Sequence, residues 1–287
     1  MCATCGCGEG AEVLITDPAH PHEHTHSHDH GHDHGREHGH GHGHGEPGHA
    51  HTHTTVRSEH LAEGAATGTV SIETAVLAKN DRLAAANRAW LAERGITVVD
   101  LMSSPGSGKT TLLERTIAGK ETGRAMSVIE GDQQSLLDAQ RVQAAGVATV
   151  QVTTGTGCHL DAAMIASSLE RLEPPASSLV IVENVGNLVC PALFDLGEMA
   201  RVVIMSVTEG ADKPLKYPPM FRAADLLLLN KVDLLPHLPV PVEECVANAH
   251  RVNPALRVLP ISATRGDGLR DWYGWLRQLS PADRCRS

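Results

Sequence analysis

Three residues in the middle of the chain have the types and spacing of metal ligands. Cys158 and His159 are adjacent in the run TTGTGCHLDA, and Cys190 follows in NLVCPALFD. Two thiols and an imidazole form a borderline-soft donor set that suits Zn²⁺ or Ni²⁺. Adjacent side chains often cannot both bind one ion. A site shared between two subunits, each of which contributes some of the ligands, is therefore one possible arrangement. Two ordinary residues at the start of a helix are one alternative. A nucleophile with its base is another, but no third orienting group is evident.

The first residues of the chain, MCATCGC, contain a second group of thiols at Cys2, Cys5 and Cys7. Three thiolates this close together can wrap one ion, and removal of Met1 would add the α-amine of Cys2 as a fourth donor. Three sulfurs and one nitrogen in a plane favour Ni²⁺ over tetrahedral Zn²⁺. Reactive thiols that bind no metal are the alternative interpretation.

A histidine-rich stretch follows, with fifteen of the nineteen histidines between His20 and His53. They mostly alternate with Gly, Asp, Glu, Ser or Thr, so this stretch has little apolar surface to bury and is predicted to be disordered without metal. Many weak imidazole sites indicate a metal reservoir of high capacity and low selectivity. An expression tag is the alternative, although tags are usually uninterrupted histidine runs.

The run SSPGSGKTTLL has the pattern of a phosphate-binding loop between a strand and a helix. Gly106 and Gly108 would let backbone N–H groups close around phosphate oxygens at a helix N-terminus. Lys109 would contact the β- and γ-phosphates, and Thr110 is an expected Mg²⁺ ligand. Ser103 stands where the strict motif has glycine. The predicted nucleotide-binding residues of this loop are Pro105, Gly106, Ser107, Gly108, Lys109, Thr110 and Thr111.

The sequence also predicts which base is bound. Asn230, Lys231 and Asp233 form an N-K-x-D motif after the apolar run DLLLL. A carboxylate there can accept hydrogen bonds from guanine N1–H and its amino group, whereas adenine would leave the acceptor unpaired. Ser262 and Ala263 follow the next strand, where backbone N–H groups could reach guanine O6. GTP is therefore favoured over ATP.

Two strand-end carboxylates are predicted to complete the phosphate site. Asp132 lies in EGDQQS, and Glu183 lies in VIVENVGN, three residues before Gly186, whose backbone could follow the γ-phosphate. The candidate catalytic groups are thus Lys109, Asp132 and Glu183. The candidate Mg²⁺ ligands are Thr110, Asp132 and Glu183.

The elements that must position these groups are short, continuously apolar runs that alternate with helical segments. Continuous rather than alternating apolar residues predict strands covered on both faces, hence a parallel sheet. The leading helix is predicted to begin at Ser71 as N-cap, to carry the apolar residues Ile72, Val76, Leu83 and Trp90 at about helical spacing, and to end at Gly95. The predicted strands are 96–102, 125–130, 147–152, 178–184, 201–207, 225–230 and 257–261.

These patterns predict an α/β fold, a three-layer P-loop NTPase sandwich with a mainly parallel sheet, preceded by a disordered histidine-rich tail. The predicted parts are the thiol motif (1–10), the histidine-rich segment (11–68) and the GTPase domain with its leading helix (69–287).

Composition excludes several classes of function. The first 60 residues hold nine acidic and two basic residues, so they carry most of the net charge of −10 and the remainder is near neutral. A nucleic-acid partner is therefore not expected. No apolar run approaches the roughly 18 residues of a membrane span, and the N-terminus lacks signal-peptide features, so we expect a cytoplasmic protein with reduced thiols.

Together, the motifs resemble the HypB family of hydrogenase nickel incorporation GTPases. The resemblance rests on CxxCGC, the histidine-rich insert, SSPGSGKTTLL, EGDQQ, TGxGCHLDA, VENVGNLVCP, KPLKYP and NKVDLL. It implies a SIMIBI-class P-loop GTPase that dimerises with nucleotide and hydrolyses GTP slowly. It also implies nickel delivery to the large subunit of [NiFe]-hydrogenase, with a zinc-containing HypA-type partner.

The resemblance assigns the tight nickel site to Cys2, Cys5 and Cys7, and a nickel or zinc site to Cys158, His159 and Cys190. Two alternatives remain open from the sequence: a urease-accessory-type GTPase, and a nickel or zinc storage protein in which the GTPase is minor.

Overall fold

The computed structural model describes residues 14–17, 62–132, 137–155 and 157–279, and the side chains among these except at 62–73 and 137–138. The predicted thiol motif at Cys2, Cys5 and Cys7 and the histidine-rich stretch lie outside the described residues. The chain divides into one unit of residues 1–21 and 74–287 and a second of residues 22–73. Apart from the first turns of the leading helix, all described elements belong to the first unit.

The described residues form an eight-stranded sheet with strand order β1-β4-β3-β5-β2-β6-β7-β8. Strands β2 to β8 are parallel and coincide with the seven predicted runs, so this prediction is confirmed. The strands are β1 (Leu14–Thr16), β2 (Thr97–Ser103), β3 (Met126–Asp132), β4 (Ala148–Thr153), β5 (Leu179–Glu183), β6 (Ala200–Ser206), β7 (Leu226–Asn230) and β8 (Arg257–Pro260).

Helices cover both faces of the sheet, which confirms the predicted three-layer α/β fold. One face packs against α2, α3 and α8, and the other packs against α1, α4, α6 and α7. The helices are α1 (Ala62–Glu93), α2 (Lys109–Gly119), α3 (Leu137–Ala144), α4 (Ala162–Leu172), α5 (Lys213–Lys216), α6 (Pro218–Ala223), α7 (Val242–Val252) and α8 (Leu269–Gln278). Among the described helices, none is long and apolar enough to cross a membrane.

Strand β1 is an element that the sequence did not predict, because it lies in the segment expected to be disordered. It runs antiparallel along β4, with Leu14 opposite Thr153, and Arg171 donates a hydrogen bond to the Ile15 carbonyl at 2.9 Å. The three-residue run LIT is too short to stand out as a strand, and β4 would otherwise expose its outer backbone groups at the sheet edge.

The leading helix differs from the prediction at its start, and not all of its apolar residues are buried. It begins at Ala62, so Ser71 lies inside the helix rather than at its N-cap. The preceding residues AEGAATGTV contain good helix formers and no proline, which lets the helix extend through them. Of the apolar residues, Val76 is 49% exposed and Trp90 is partly buried against the core. The buried stripe contains Asn80, Ala84, Asn87 and Leu91, at helical spacing.

The predicted end of α1 is confirmed. Gly95 has φ +63°, its N–H donates to the Ala92 carbonyl at 3.1 Å, and the Ile96 N–H donates to the Leu91 carbonyl at 3.0 Å. This pair of bonds is the Schellman motif, which satisfies the last carbonyls of a helix and favours glycine in the left-handed position. The chain then enters β2 directly.

Asp100 is a charged residue at the centre of the otherwise mainly apolar strand β2. Its side chain is fully buried, and its two oxygens accept hydrogen bonds from Asn184 Nδ2 at 3.1 and 3.3 Å. Burial and the nearby Glu198 carboxylate raise the pKa of Asp100 to about 7, against the opposing effects of Arg201, the Asn184 hydrogen bond and Lys109. The carboxyl is therefore harder to ionise in the folded protein than in the unfolded chain.

This raised pKa predicts a pH-dependent stability. Between pH 3.8 and about 7 the unfolded chain loses the Asp100 proton while the folded chain retains it, so stability falls as pH rises. The variant Asp100→Asn stays neutral and lacks this component. The free energy of unfolding in urea, measured from pH 4 to pH 8, should show wild type losing stability relative to Asp100→Asn up to about pH 7 and then levelling off. A relative gain in wild-type stability over this range would contradict the assignment.

Candidate functional site

The carboxyl ends of the parallel strands meet at one edge of the sheet, where a cleft of about 480 Å³ opens. The cleft contains the predicted loop Pro105–Thr111 together with Asp132, Glu183, Gly186 and Lys231. It also contains Glu130, Gly131, Arg141, Asn184 and Val185, which the sequence analysis did not assign. The remaining predicted residues, Asn230, Asp233, Ser262 and Ala263, do not line this cleft.

The phosphate-binding loop has the backbone conformation that its glycines predict. Gly106 and Gly108 have φ values of +76° and +101°, in the region that favours glycine. A Cβ on Gly108 would lie 2.5 Å from Asn230 Nδ2, so this position also needs glycine for close approach. The Lys109 ammonium donates to Ser103 Oγ at 2.7 Å, which gives a role to the serine that replaces the glycine of the strict motif.

Oxygen donors collect at one side of the loop. Thr110 Oγ1 donates to Glu183 Oε1 at 2.8 Å, and the Asp132 carboxylate lines the same cleft. A hydroxyl and carboxylates are the hard donors that Mg²⁺ prefers, so these residues fit the predicted ion.

Glu130 is a further carboxylate in this cleft that the sequence analysis missed. It lies opposite Glu183 in the β3–β5 register and is almost fully buried. Its signal in the sequence was its position two residues before Asp132, because alternate residues of a strand share one face.

Gly186 lies directly against the phosphate-binding loop. A Cβ at this position would be 3.2 Å from Pro105 Cγ and 3.3 Å from the Pro105 backbone nitrogen, a tighter approach than most side chains tolerate. The segment that leaves β5 is therefore held in contact with the loop that would hold phosphate.

The N-K-x-D motif ties the loops together. Asn230 Nδ2 donates to the Ser107 carbonyl at 2.8 Å, and its Oδ1 accepts from the Ala263 N–H at 3.0 Å. The Lys231 ammonium donates to the Gly106 carbonyl at 2.7 Å. Asp233 Oδ1 accepts from Ser262 Oγ at 2.6 Å, which fixes the orientation of the predicted base-binding carboxylate.

The predicted metal ligands Cys158, His159 and Cys190 come together within one chain. The two Sγ atoms are 2.8 Å apart, Cys158 Sγ is 3.7 Å from His159 Nδ1, and the ligand atoms of all three lie within 4.8 Å of one another. This backbone therefore lets the adjacent pair face one point, so the arrangement does not require a second subunit. The donor set and spacing fit one Ni²⁺ or Zn²⁺ ion.

The His159 ring is held in place by stacking. It lies 3.8 Å from the Phe194 ring, centroid to centroid, with 23° between the planes. Burial lowers the pKa of His159, against the raising effect of Asp161. A lowered pKa favours the neutral imidazole, which is the form that binds metal.

Two buried asparagines of α1 join the loops that carry the predicted metal ligands. Asn80 accepts from the Ala162 N–H at 2.9 Å and donates to the Asp195 carbonyl at 2.8 Å. Asn87, two turns later, donates to the Ala162 and Leu196 carbonyls at 2.8 and 3.0 Å. Neither asparagine was predicted from the sequence, although two asparagines seven residues apart on a helix share one face.

Comparison with known proteins identifies the family of the chain. Residues 97–260 match the family described as CobW/HypB/UreG, nucleotide-binding domain. The hydrogenase maturation factor HypB of Escherichia coli (strain K12) is 47% identical over 286 residues, covering 96% of this chain and 98% of that protein. The hydrogenase maturation factor HypB of Azotobacter chroococcum mcd 1 is 56% identical over 218 residues, covering 76% and 72%.

Among solved structures, HypB from Helicobacter pylori in complex with nickel is similar with a TM-score of 0.65 and 38% identity, covering 69% of this chain and 93% of that one. Sequence and fold therefore agree with the motifs: the chain belongs to the HypB hydrogenase maturation factors of the CobW/HypB/UreG family.

Proposed function

We propose that this chain is a GTP-hydrolysing nickel metallochaperone that delivers nickel for the maturation of [NiFe]-hydrogenase. The observation that carries the proposal is the short segment from Glu183 to Cys190. Its first residue binds Thr110 in the phosphate cleft, and its last residue lies 2.8 Å from Cys158 in the metal cluster. Because the segment is only eight residues long, a displacement of Glu183 would also displace Cys190.

The phosphate cleft supports GTP binding and hydrolysis. Backbone N–H groups of the loop and the Lys109 ammonium would hold the phosphates, while Thr110, Asp132 and Glu183 would hold Mg²⁺. That ion would neutralise charge on the phosphate oxygens. Asp132 or Glu183 would orient the attacking water.

We propose that hydrolysis by the isolated chain is slow. An arginine directed at the transferred phosphate strongly accelerates such reactions. Arg141 lines the cleft, but its guanidinium forms two hydrogen bonds with the Glu114 carboxylate, at 2.8 and 3.0 Å. This ion pair directs the positive charge toward α2 rather than toward the phosphates.

Nickel is the cargo in this proposal, and the Cys158–His159–Cys190 cluster is the site whose affinity the nucleotide controls. The same donors also suit Zn²⁺, which would compete with or replace nickel. Cys2, Cys5 and Cys7 would form a tighter nickel site, and the histidine-rich segment would hold a reserve. The chain would thus work in three parts, residues 1–10, 11–68 and 69–287.

The switch follows from the contact of Gly186 with Pro105. GTP and Mg²⁺ would hold the Glu183–Gly186 segment against the loop and so fix the position of Cys190. Loss of the γ-phosphate would relax this segment and weaken the hold on nickel. The free energy available to the switch equals the difference between the free energies of nickel binding in the two nucleotide states.

The partners of the proposed activity are a zinc-containing HypA-type metallochaperone and the precursor of the [NiFe]-hydrogenase large subunit. A nucleotide- or metal-dependent homodimer is part of the proposal. Thiol ligands also require a reducing compartment, which supports a cytoplasmic location.

The base preference predicts the effect of Asp233→Asn. The NH2 group of the asparagine would lie against the guanine amino group, so two hydrogen-bond donors would meet. GTP affinity should therefore fall about ten- to hundredfold. The same amide can donate to the 2-carbonyl of xanthine, so xanthosine triphosphate should bind better than to wild type. Competition binding with a fluorescent nucleotide measures both. Asp271→Asn, an exposed site on α8, is the matched control. Unchanged GTP affinity in Asp233→Asn would contradict the assignment.

The switch predicts that nickel affinity depends on the nucleotide. Competition with a chromogenic chelator should show tighter binding, by about tenfold, with a non-hydrolysable GTP analogue than with GDP. Release into excess chelator should be correspondingly faster with GDP. The Cys158→Ala variant identifies the part of the signal that belongs to this cluster. Lys109→Ala should bind nickel with the same affinity in the presence of either nucleotide. Equal affinities and equal release rates in wild type would refute the switch.

A further inference from the structure

Asn184 occupies the position between the two sites. It directly follows Glu183 at the end of β5, and successive residues of an extended segment point to opposite faces of the sheet. The Glu183 side chain meets Thr110 on the α2 face. The Asn184 side chain is 1% exposed and meets Asp100 and Leu160 on the α4 face. Adjacent residues therefore serve the nucleotide cleft and the metal loop.

The Asn184 amide contacts both loops that carry metal ligands. Its Oδ1 accepts from the Leu160 N–H at 3.3 Å and from the Val185 N–H at 3.0 Å. Leu160 directly follows His159, and Val185 begins the segment that leads to Cys190. One oxygen atom thus fixes the backbone on the two sides of the cluster.

Asp100 sets the orientation of this amide. Both Asp100 oxygens accept from Asn184 Nδ2, so the amide nitrogen faces β2 and the amide oxygen must face the two backbone N–H groups. Asp100, Asn184 and Leu160 are all nearly or fully buried, so water cannot easily replace a bond that is lost.

The packing of Leu160 adds a second link to the nucleotide cleft. A Cβ on Gly131 would lie 2.8 Å from Leu160 Cδ1 and 2.9 Å from Leu160 Cγ, so the leucine rests directly on the backbone of β3. Gly131 lines the cleft and precedes Asp132. A shift of the Leu160 backbone is therefore resisted on one side by β3 and on the other by Asn184.

We propose that Asn184, oriented by Asp100, is the positioning residue that couples the nucleotide cleft to the Cys158–His159 half of the metal site. The proposal rests on the nucleotide-controlled nickel affinity proposed above. It differs in its route, since the covalent segment from Gly186 reaches only Cys190, whereas the Asn184 amide reaches the opposite loop. In the GTP state the Asn184 amide holds the Leu160 backbone. After hydrolysis, release of Glu183 moves Asn184 and weakens its hydrogen bond to the Leu160 N–H.

The test measures the ratio of nickel affinities with the GTP analogue and with GDP. We expect this ratio to be about ten in wild type. In Asn184→Ala it should be close to one, differing from it by no more than about twofold. Asn253→Ala is the matched control, because the Asn253 amide also donates to two backbone carbonyls, those of Phe221 and Ala224 at the end of α6, in a partly buried position. It should keep the wild-type ratio.

A paired exchange separates positioning from simple loss of fold. In the double variant Asp100→Asn with Asn184→Asp, the new amide at position 100 can donate to the new carboxylate at position 184. That carboxylate can still accept from Leu160 and Val185. The double variant should recover most of the wild-type ratio even where Asn184→Ala does not fold.

Hydrogen exchange of the Leu160 amide in nickel-free wild-type protein provides a second readout. Exchange should be slower with the GTP analogue than with GDP, and Asn184→Ala should exchange rapidly in both states.

The outcomes separate the two proposals. A nickel-affinity ratio of one in wild type would refute the proposed nucleotide switch itself. A wild-type ratio that persists in folded Asn184→Ala would overturn the role of Asn184 and leave the function standing. A folded double variant without a ratio, or Leu160 exchange in wild type that ignores the nucleotide, would also overturn it.

Discussion

The end of strand β5 is the constraint on which the two sites depend. A parallel sheet brings the carboxyl ends of its strands to one edge, and β5 lies next to β2, which carries the phosphate-binding loop. Alternation along β5 then sends Glu183 to one face and Asn184 to the other. The phosphate cleft and the thiol cluster can therefore share a few residues of backbone without sharing a side chain.

The loops around the thiol cluster are held by buried polar bonds as well as by the apolar side chains Leu160 and Leu196. Asn80, Asn87 and Asn184 bind their backbone groups, and each such hydrogen bond contributes only about 1 kcal/mol net. Burial of the apolar residues of β2 and β5 contributes a much larger total free energy of stabilisation. In the proposed switch, the nucleotide would change hydrogen bonds of these loops while the sheet stays fixed.

The sequence predicted the features that arise from local patterns. Seven apolar runs became seven parallel strands, and the glycines of the phosphate-binding loop took the backbone angles that only their type tolerates well. The residues that were not predicted are buried by hydrogen-bond partners that are distant in the chain. Asp100 is buried because Asn184 lies opposite it, and Asn80 is buried because loops more than eighty residues away present backbone groups to α1. Apolar periodicity counts such polar residues as surface, and it cannot distinguish Val76, which is 49% exposed, from the apolar residues that are buried.

Reciprocity offers the most direct measurement of the coupling between the two sites. If the nucleotide changes nickel affinity, nickel must change nucleotide affinity by the same factor. We would measure the affinities of GDP and of a non-hydrolysable GTP analogue for wild type and for Cys158→Ala, each with and without saturating nickel. In wild type, nickel should favour the analogue over GDP by about tenfold, and in Cys158→Ala this preference should disappear. The same relative affinities with and without nickel in wild type would contradict the coupling.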